Sequence, residues 1–512
     1  MIFGIDKIDP ERLAVLAPDG TKLTYKDLVR AAGEVAEAIP ERGLSFCLCA
    51  NRPGALAGYL ALAESGCVPL LLDEELHPDS FGSLFDTYGP AYLWLPVDMA
   101  EAVLASERES GTEPSASAEP AGTAGDRGED LLRGRLKKKL YETCGYGLYS
   151  TGCLPYPMAP ELCLLLATSG STGNPKLVRL SRENLESNAQ SIREYLQIDE
   201  AERPITTMPM QYTYGLSIIN SHLTAGACIL MTTDGYVQLP FWQFFNEQKA
   251  TSFGGVPYTY ELMNRLRLFR GPMPGLHYLT QAGGKLSPKM QEEIGTWAEK
   301  NGYRFYVMYG QTEASPRMAY LPPQMCLKKP GSMGIPIPGG RFEIVDSEGN
   351  VITQPHQSGE LVYIGPNVSL GYAQQKEDLA LGDENHGRLM TGDIAETDED
   401  GYYYIVGRKK RFVKIFGVRV GLDACERLLQ ERYPDSQIFC GGEDNHLKIY
   451  STDPEVVRDG AKVLAGILQQ NEKGFSSLYL REIPRNEYGK VQLKKLDDCV
   501  GELPQVSGST ES

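Results

Sequence analysis

The chain has 512 residues, of which 42% are hydrophobic and 23% charged, and its formal net charge is −17 at pH 7. This length exceeds what one compact core supports, so we expect two or more domains. The acidic charge argues against nucleic acid or an anionic membrane as the main partner, and an anionic substrate such as a nucleotide would need a local cluster of donors.

The N-terminal region gives no sign of export. The start, MIFGIDKIDPERLAVL, lacks a basic region followed by a long apolar core, so no cleavable signal is expected. The most apolar window, residues 54–72, is interrupted by Glu64, Gly66 and Pro69, and this favours a helix followed by a short strand over a membrane span. The eleven cysteines form no CxxC pair, which predicts free thiols in a reducing cytoplasm instead of disulfides or zinc ligands.

Residues 106–130 differ in composition from the rest of the chain. They are rich in Ser, Gly, Pro and Glu with almost no apolar side chains, so we predict a flexible insertion. The basic run RGRLKKKL follows at residues 133–140. A nucleic-acid patch is one interpretation, but in so acidic a protein a solvated helix face is favoured.

The stretch TSGSTGNPK, residues 168–176, directly follows the apolar run at residues 162–167. Its two glycines allow the backbone to approach a bulky anion, its N–H groups and hydroxyls suit phosphate oxygens, and Lys176 adds a positive charge. Taken alone, the stretch is equally compatible with a surface turn.

Strand and helix patterns alternate in the remainder of the chain. Ser181 can cap a helix with apolar positions at Leu185, Ala189, Ile192 and Leu196, and strands are expected at residues 359–365 and 402–408. From about residue 407 the pattern changes to a smaller unit of helices near residues 428–429 and 454–468 and strands near residues 437–440 and 447–450. We therefore predict an α/β protein with domains at residues 1–408 and 409–512.

Four further stretches join TSGSTGNPK in a recognisable order: YGQTE (309–313), TGD (391–393), GRKKRFVKIFGVRV (407–420) and PRNEYGKV (484–491). With these motifs the chain resembles the adenylate-forming (AMP-binding) enzymes, which include acyl-CoA synthetases, adenylation domains of peptide synthetases, D-alanine–carrier-protein ligases and firefly luciferase. The resemblance extends from about Leu23 to Leu496. It implies a large N-terminal domain of mixed sheets flanked by helices, and a small mobile α+β C-terminal domain.

The resemblance implies a two-step reaction. A carboxylate attacks the α-phosphorus of ATP, pyrophosphate leaves and an acyl-adenylate forms; a thiol then attacks the acyl carbon and AMP is released. A P-loop NTPase is the rival interpretation of the glycine-rich loop, but Gly173 is followed by Asn174 and Pro175 instead of Lys and Ser or Thr.

The resemblance also assigns residues to the nucleotide. Tyr309 would lie against adenine, Thr312 would contact the α-phosphate, Glu313 would hold Mg²⁺, and Asp393 with Arg408 would bind the ribose. Without the other motifs, Glu313 would be a solvated turn residue and Asp393 a cap. The full set of predicted nucleotide contacts is Thr168, Ser169, Gly170, Ser171, Thr172, Gly173, Lys176, Gly283, Gly284, Tyr309, Gly310, Thr312, Asp393 and Arg408.

Three lysines have predicted roles in the change between the two steps. Lys490, after Gly489 in a turn, would bridge the acid and the α-phosphate in the transition state. Lys410 would be the hinge of the small domain, whose rotation would bring Lys414 and Gly417 to the site for thioester formation.

The acid pocket is expected between residues 208–218, 253–257 and 281–286, with Tyr212, Tyr214, Gly215 and Gly283 lining it. Ligases for α-amino acids carry Asp where Gly215 stands, and a buried ammonium without that partner would be costly. We therefore expect a fatty, hydroxy or aryl acid. Tyr212 occupies a position where many acyl-CoA synthetases have His.

The acceptor thiol stays open between coenzyme A and the phosphopantetheine of a carrier protein. The cofactors expected are thus ATP, Mg²⁺ and one of these thiols. The competing hypotheses are an amino-acid-activating ligase that loads a carrier protein, a non-catalytic nucleotide-binding homologue, and an oxygenase of the luciferase type.

Overall fold

The computed structural model describes residues 1–110, 131–167, 176–486 and 489–503, with the backbone alone for residues 105–110. It is a mixed α/β structure, as predicted. The α-helices in the described residues are α1 (Tyr25–Ala38), α2 (Pro53–Glu64), α3 (Pro78–Tyr88), α4 (Val97–Ser110), α5 (Arg182–Leu196), α6 (Thr213–Thr224), α7 (Leu239–Glu247), α8 (Pro257–Arg265), α9 (Pro288–Lys300), α10 (Leu422–Arg432) and α11 (Pro454–Ile467).

The strands form several mixed sheets. They are β1 (Leu13–Leu16), β2 (Lys22–Thr24), β3 (Leu44–Cys49), β4 (Val68–Asp73), β5 (Tyr92–Pro96), β6 (Lys138–Thr143), β7 (Tyr146–Ser150), β8 (Leu162–Ala167), β9 (Leu177–Ser181), β10 (Ile229–Leu230), β11 (Ser252–Gly255), β12 (Tyr278–Gln281), β13 (Arg304–Gly310), β14 (Arg317–Leu321), β15 (Ile335–Pro336), β16 (Arg341–Val345), β17 (Gly359–Ile364), β18 (Gly371–Ala373), β19 (Arg388–Thr397), β20 (Tyr403–Arg408), β21 (Phe412–Ile415), β22 (Val418–Gly421), β23 (Ile438–Glu443), β24 (His446–Ser451) and β25 (Phe475–Tyr479).

The largest sheet runs in the order β18-β9-β8-β4-β3-β5-β7-β6, and a second sheet runs in the order β11-β12-β13-β14-β15. Strands β3, β4, β5 and β8 are nearly fully buried because helices cover both faces of their sheet. Strands β11, β12 and β13 are parallel, so their carboxyl ends, which carry Gln281 and Gly310, meet at one edge where ligands bind in such sheets.

The helix expected after Ser181 is confirmed as α5. The Ser181 side chain accepts a hydrogen bond from the backbone N–H of Asn184, and the Asn184 side chain accepts one from the backbone N–H of Ser181. The apolar residues that predicted the helix are all buried: Leu185, Ala189, Ile192 and Leu196. Helix α5 thus packs against the sheets; residues 168–175 of the loop motif lie outside the described residues.

The third sheet leads into the C-terminal unit. It runs in the order β16-β17-β19-β20, and β20 ends at Arg408. The hairpin β21-β22 and the sheet β23-β24-β25 follow, and α10 and α11 pack with them around a separate core that includes Val413, Leu429 and Ile449. The change of sheet after Arg408 agrees with a division near residue 408, which stays a prediction.

Two sequence interpretations need correction. Helix α4 runs to Ser110, so the first residues of the segment predicted as a flexible insertion are helical; residues 111–130 lie outside the described residues. The basic run at residues 133–140 is not a helix face: it passes through a turn into β6, the edge strand of the largest sheet. Charged Lys138 and Lys139 are exposed there, a usual way to keep a sheet edge from pairing with another chain.

All eleven cysteines lie within the described residues and are free thiols. The window at residues 54–72 folds as the predicted helix and strand, α2 and β4. Across the described ranges, none of the helices combines the length and apolarity needed to cross a bilayer.

Candidate active site

One end of the cleft between the two units is organised around Asp393, and we call Asp393, Tyr309, Gln311 and Arg408 the ribose end. Asp393 lies on β19 directly opposite Arg408 on β20 and is 4% exposed. Its carboxylate accepts hydrogen bonds from Tyr309 Oη (2.5 Å) and Gln311 Nε2 (3.0 Å), and Arg408 Nε lies 3.2 Å from Oδ1. The structure thus brings together three residues predicted to contact the nucleotide.

Two details of this end refine the sequence prediction. Burial and the Asp393 charge hold the pKa of Tyr309 well above its ordinary value, so its hydroxyl stays a donor to the carboxylate. Gln311 was not predicted as a site residue although it lies within YGQTE; its amide also donates to Thr391 O at 3.0 Å. An amide in that motif, beside a predicted carboxylate, was the available signal.

The phosphate side of the cleft is formed by Glu313, Tyr372 and Lys176. Tyr372 Oη donates to Glu313 Oε1 at 2.5 Å, and Lys176 Nζ lies 5.4 Å from the centre of the Tyr372 ring. Tyr372 was missed because it lies on β18, 59 residues after Glu313. The predicted contacts at residues 168–173 lie outside the described residues.

The donor set on this side fits magnesium. Glu313 offers a partly exposed carboxylate, a hard oxygen ligand of the kind that Mg²⁺ takes together with phosphate oxygens and water. Gly310 and Thr312 precede Glu313 in the chain. Gly310 ends β13 so close to Pro316 that a side-chain carbon would lie 1.9 Å from Pro316 O. Thr312 begins a short 3₁₀ turn.

Lys490 is exposed and follows directly on Gly489, which docks on α8. Gly489 has φ +73° and packs so closely on Tyr258 that a side-chain carbon there would lie 2.9 Å from the ring. Arg485 stacks over the same ring at 4.4 Å and lies 3.4 Å from Glu261. Only glycine fits this combination of backbone angle and contact, which explains the Gly-Lys order of the motif.

The electrostatics of Lys490 identify its neighbours. Desolvation in the cleft, followed by the charge of Arg408, lowers the pKa of Lys490, while the charges of Glu313 and Asp393 oppose this decrease. The ammonium group therefore lies within the electrostatic range of the ribose end and of the predicted magnesium ligand. Glu313 and Lys490, whose charges interact here, are 177 positions apart in the chain.

The segment around the predicted hinge is exposed, but residues on both sides of Lys410 form ion pairs or hydrogen bonds with α10. Lys410 is exposed, whereas the neighbouring Arg411 forms ion pairs with Asp423 and Glu426 of α10 and donates to Cys440 O. The backbone N–H of Arg408 donates to Asp423 Oδ2 at 2.8 Å. Asp423 therefore connects the ribose end to the first turn of α10.

Lys414 is not part of this cluster. It lies exposed on β21, where its backbone N–H donates to Asp444 Oδ1 at 2.8 Å and its carbonyl accepts from Asn445. Within the described residues no contact joins it to Glu313, Asp393 or Lys490. The adenylation role of this cluster and the role of Lys414 in the second step both stay predictions.

The predicted acid pocket begins where β12 ends, and we define it by Tyr212, Tyr214, Gly283 and Gly284. A side-chain carbon at Gly283 would lie 2.8 Å from Tyr212 Oη, and one at Gly284 would lie 3.1 Å from Pro257. The rings of Tyr212 and Tyr214 are 6.5 Å apart, and Tyr214 Oη is hydrogen-bonded to Thr280 O at 2.8 Å. The glycine turn and the two tyrosines therefore form one continuous wall.

The structure changes the interpretation of Gly215, which was predicted to line the acid pocket. A side-chain carbon at this position would lie 2.3 Å from Pro209 O and 2.7 Å from Met208 O, so the backbone of residues 208–209 fills the space where a side chain would project. With this backbone no carboxylate side chain could enter the pocket from position 215. Gly215 is a packing requirement, and its identity is no evidence for or against an α-amino acid; that preference stays a prediction without this support.

Comparisons with known proteins agree with the geometry. The sequence model of the family described as AMP-binding enzyme matches residues 7–373. A probable CoA ligase of Humulus lupulus is 27% identical over 65% of this chain and 65% of its own length, so the chain spans slightly less than two thirds of that relative. An indoleacetate–CoA ligase of Aromatoleum aromaticum is 25% identical over 95% of this chain and 94% of its own length.

Solved structures show the same fold. An o-succinylbenzoate CoA synthetase of Bacillus subtilis, determined with its acyl-adenylate intermediate, has a TM-score of 0.72 and covers 98% of this chain and 99% of its own at 20% identity. This likeness confirms the large mixed-sheet unit followed by a small α+β unit that the motifs implied.

Proposed function

The chain belongs to the AMP-binding enzyme family, and from this membership we propose that it activates a carboxylic acid with ATP and transfers the acyl group to coenzyme A. The observation that carries the proposal is the buried Asp393 carboxylate, which accepts hydrogen bonds from Tyr309 and Gln311 and lies 3.2 Å from Arg408 Nε. The charges of Arg408, Glu313 and Asp393 also affect the pKa of Lys490, and the α-phosphate of ATP would lie beside that ammonium group.

In this proposal the ribose hydroxyls donate to Asp393, which Tyr309, Gln311 and Arg408 hold in position. The acid enters past Gly283, and one oxygen of its carboxylate attacks the α-phosphorus as the bond to pyrophosphate breaks. Lys490 stabilises the negative charge that grows on the oxygens around phosphorus, and this interaction is stronger in the transition state than in the ground state. Glu313 would hold Mg²⁺, which would neutralise charge on the phosphates.

Coenzyme A is the proposed acceptor because the relatives named above are CoA ligases. Its thiol would attack the acyl carbon and expel AMP, with Lys414 and Gly417 brought to the cleft by rotation about Lys410. Loading of a carrier protein is the alternative acceptor, and an assay with both thiols separates the two.

The test is carboxylate-dependent exchange of pyrophosphate into ATP, measured over a panel of fatty, hydroxy, aryl, dicarboxylic and amino acids. We expect exchange with at least one non-amino acid, and with that acid the release of AMP and a thioester when coenzyme A is added. Absence of exchange over the whole panel would favour a non-catalytic nucleotide-binding protein. Oxygen uptake with ATP and acid would indicate the oxygenase instead.

A further inference from the structure

The described chain contains two arginines whose side chains are almost completely removed from solvent, Arg179 and Arg317, and they differ in their partners. Arg179 is 0% exposed, and its guanidinium donates to Tyr372 O (3.1 Å), Leu370 O (3.1 Å) and Gly382 O (3.2 Å) and forms an ion pair with Glu384. This is the arrangement expected for a buried charge, because an unpaired one is costly.

Arg317 has fewer partners. It is 3% exposed, its Nε has no hydrogen-bond partner, and within the described residues no carboxylate forms an ion pair with it. Its guanidinium stacks on the ring of Tyr214 at 4.1 Å and interacts with the Tyr195 hydroxyl, and these neutral contacts compensate only part of the lost hydration. Arg317 is therefore a buried cation that has no anionic partner among the described residues.

The position of Arg317 connects it to the acid pocket. Gly283 contacts Tyr212, Tyr212 neighbours Tyr214, and Tyr214 stacks on Arg317, so two tyrosine rings connect the glycine turn to the guanidinium. Burial raises the pKa of Tyr212 and of Tyr214, the latter to about 12, and the charge of Arg317 opposes both increases.

Arg317 also lines a small cavity together with Ile218 and Gly254, which belong to two of the segments predicted to form the acid pocket. The cavity has a volume of about 10 Å³ and is lined by Ile218, His222, Gly254 and Thr280 among others. This is close to the space that one oxygen atom of water occupies. Burial lowers the pKa of His222 to about 4, and its ring is already hydrogen-bonded to Ile218 O and Tyr278 Oη. Arg317 is therefore the positive charge that faces this space.

We propose that Arg317 is a specificity residue that binds a second carboxylate of the substrate, so that the acid activated here is a short dicarboxylic acid. The inference rests on the proposed function. One oxygen of the distal carboxylate accepts from Arg317 in the cavity, while the other carboxylate lies at the α-phosphate. The same positive charge disfavours an α-ammonium group in the pocket.

The wild-type protein provides the first test. Pyrophosphate exchange is measured with dicarboxylic acids of three to six carbons and with matched acids in which the distal carboxylate is a methyl group. We expect kcat/KM for the best dicarboxylic acid to exceed that of its methyl-ended match by about 100-fold or more, because the latter would leave the buried cation unpaired. Equal or higher kcat/KM for the methyl-ended acid would overturn the proposal.

Arg317→Met provides the second test, since methionine keeps much of the volume without the charge. We expect a loss of about 100-fold in kcat/KM for the dicarboxylic acid and no loss for the methyl-ended acid. Arg304→Met is the matched control, because Arg304 also stacks on a tyrosine, at 5.3 Å from Tyr278, but does not line the cavity. In this variant the ratio of kcat/KM for the dicarboxylic acid to kcat/KM for the methyl-ended acid should equal that of the wild type. Equal losses for both acids in Arg317→Met would assign Arg317 a purely structural role.

These outcomes distinguish a failure of the proposed function from a failure of the proposed role of Arg317. Exchange with no acid at all contradicts the proposed function, whereas exchange with methyl-ended acids alone contradicts only the role of Arg317. If Arg317→Met does not fold, as judged by circular dichroism and thermal melting, the wild-type comparison decides the question on its own.

Discussion

At the ribose end of the cleft, Asp393 has hydrogen bonds from Tyr309 and Gln311 and an ion pair with Arg408, all within the protein. By contrast Arg317, which stacks on Tyr214 of the predicted acid pocket, has a ring on one face and an Nε without a hydrogen-bond partner. A site whose polar groups hold one another is preorganised before any ligand binds. A site with an unpaired buried charge is completed only by the ligand itself, so specificity is expected there.

The largest effect is expected from Lys490→Ala, which removes the cation between the two ends. Adenylation should fall on the order of 100- to 1,000-fold, because charge on the reacting phosphate loses its stabilising partner. Thioester formation from a supplied acyl-adenylate should change little, since Lys490 would then be outside the site. Both half-reactions are measured separately, and Lys494→Ala, an exposed lysine in the same segment, should leave both unchanged. If Lys490→Ala reduces both half-reactions equally, the prediction that Lys490 acts in adenylation and Lys414 in thioester formation is wrong.

Asp393→Asn tests whether the ribose end depends on charge. The amide keeps the shape but weakens the charge-assisted bonds, so we expect the KM for ATP to rise by about 10- to 100-fold with a smaller effect on kcat. The control is Asp400→Asn, whose carboxylate is 68% exposed and pairs with Lys329. An unchanged KM for ATP in Asp393→Asn would mean that the ribose lies elsewhere.

Gly215→Ala tests whether the acid end is fixed by the backbone. The added carbon would clash with the carbonyls of Met208 and Pro209, so the free energy of unfolding should decrease by about 1–3 kcal/mol. Gly466→Ala, in α11 where nothing lies within 4 Å of the added carbon, should increase it by up to about 1 kcal/mol. Denaturant unfolding measures both. If Gly215→Ala is as stable as the wild type but has altered acid selectivity, Gly215 lines the acid pocket after all.

The smallest effect is expected from Tyr372→Phe. Loss of the hydrogen bond to Glu313 leaves the carboxylate free to rotate, so the Mg²⁺ concentration for half-maximal exchange should rise by about 10-fold. Tyr404→Phe removes a comparable bond, to Asp398, away from the cleft and serves as the control. If both variants need the same Mg²⁺ concentration as the wild type, Tyr372 does not position the metal ligand.

The ribose end could be predicted from the sequence because its residues lie in short motifs with turn glycines and a fixed register. Asp393 and Arg408 pair across β19 and β20, a local contact that a hairpin of this length makes. The motif order also implied the position of Lys490, although the docking of its turn on Tyr258 depends on packing between units and has no local signal.

The acid end could not be predicted in the same way. Arg317 is the first residue of the apolar strand β14, and nothing in its neighbours in the sequence indicates that α5, α6 and β13 together bury it without an anionic partner. Gly215 was interpreted as a missing side chain because the sequence does not show which atoms occupy the space beside it. The lysines of residues 133–140 fit a helix face or an edge strand equally well, and pairing with β7 decided between them.

Asp423 has a consequence for the energetics of the whole molecule. It accepts from the backbone of Arg408, whose side chain reaches Asp393, and it pairs with Arg411 beside the predicted hinge. Under the proposed function, a nucleotide that draws Arg408 inward would alter the preferred orientation of α10, and by thermodynamic reciprocity a rotation of α10 would alter nucleotide affinity by the same factor. Release of AMP and rotation about Lys410 would then be coupled.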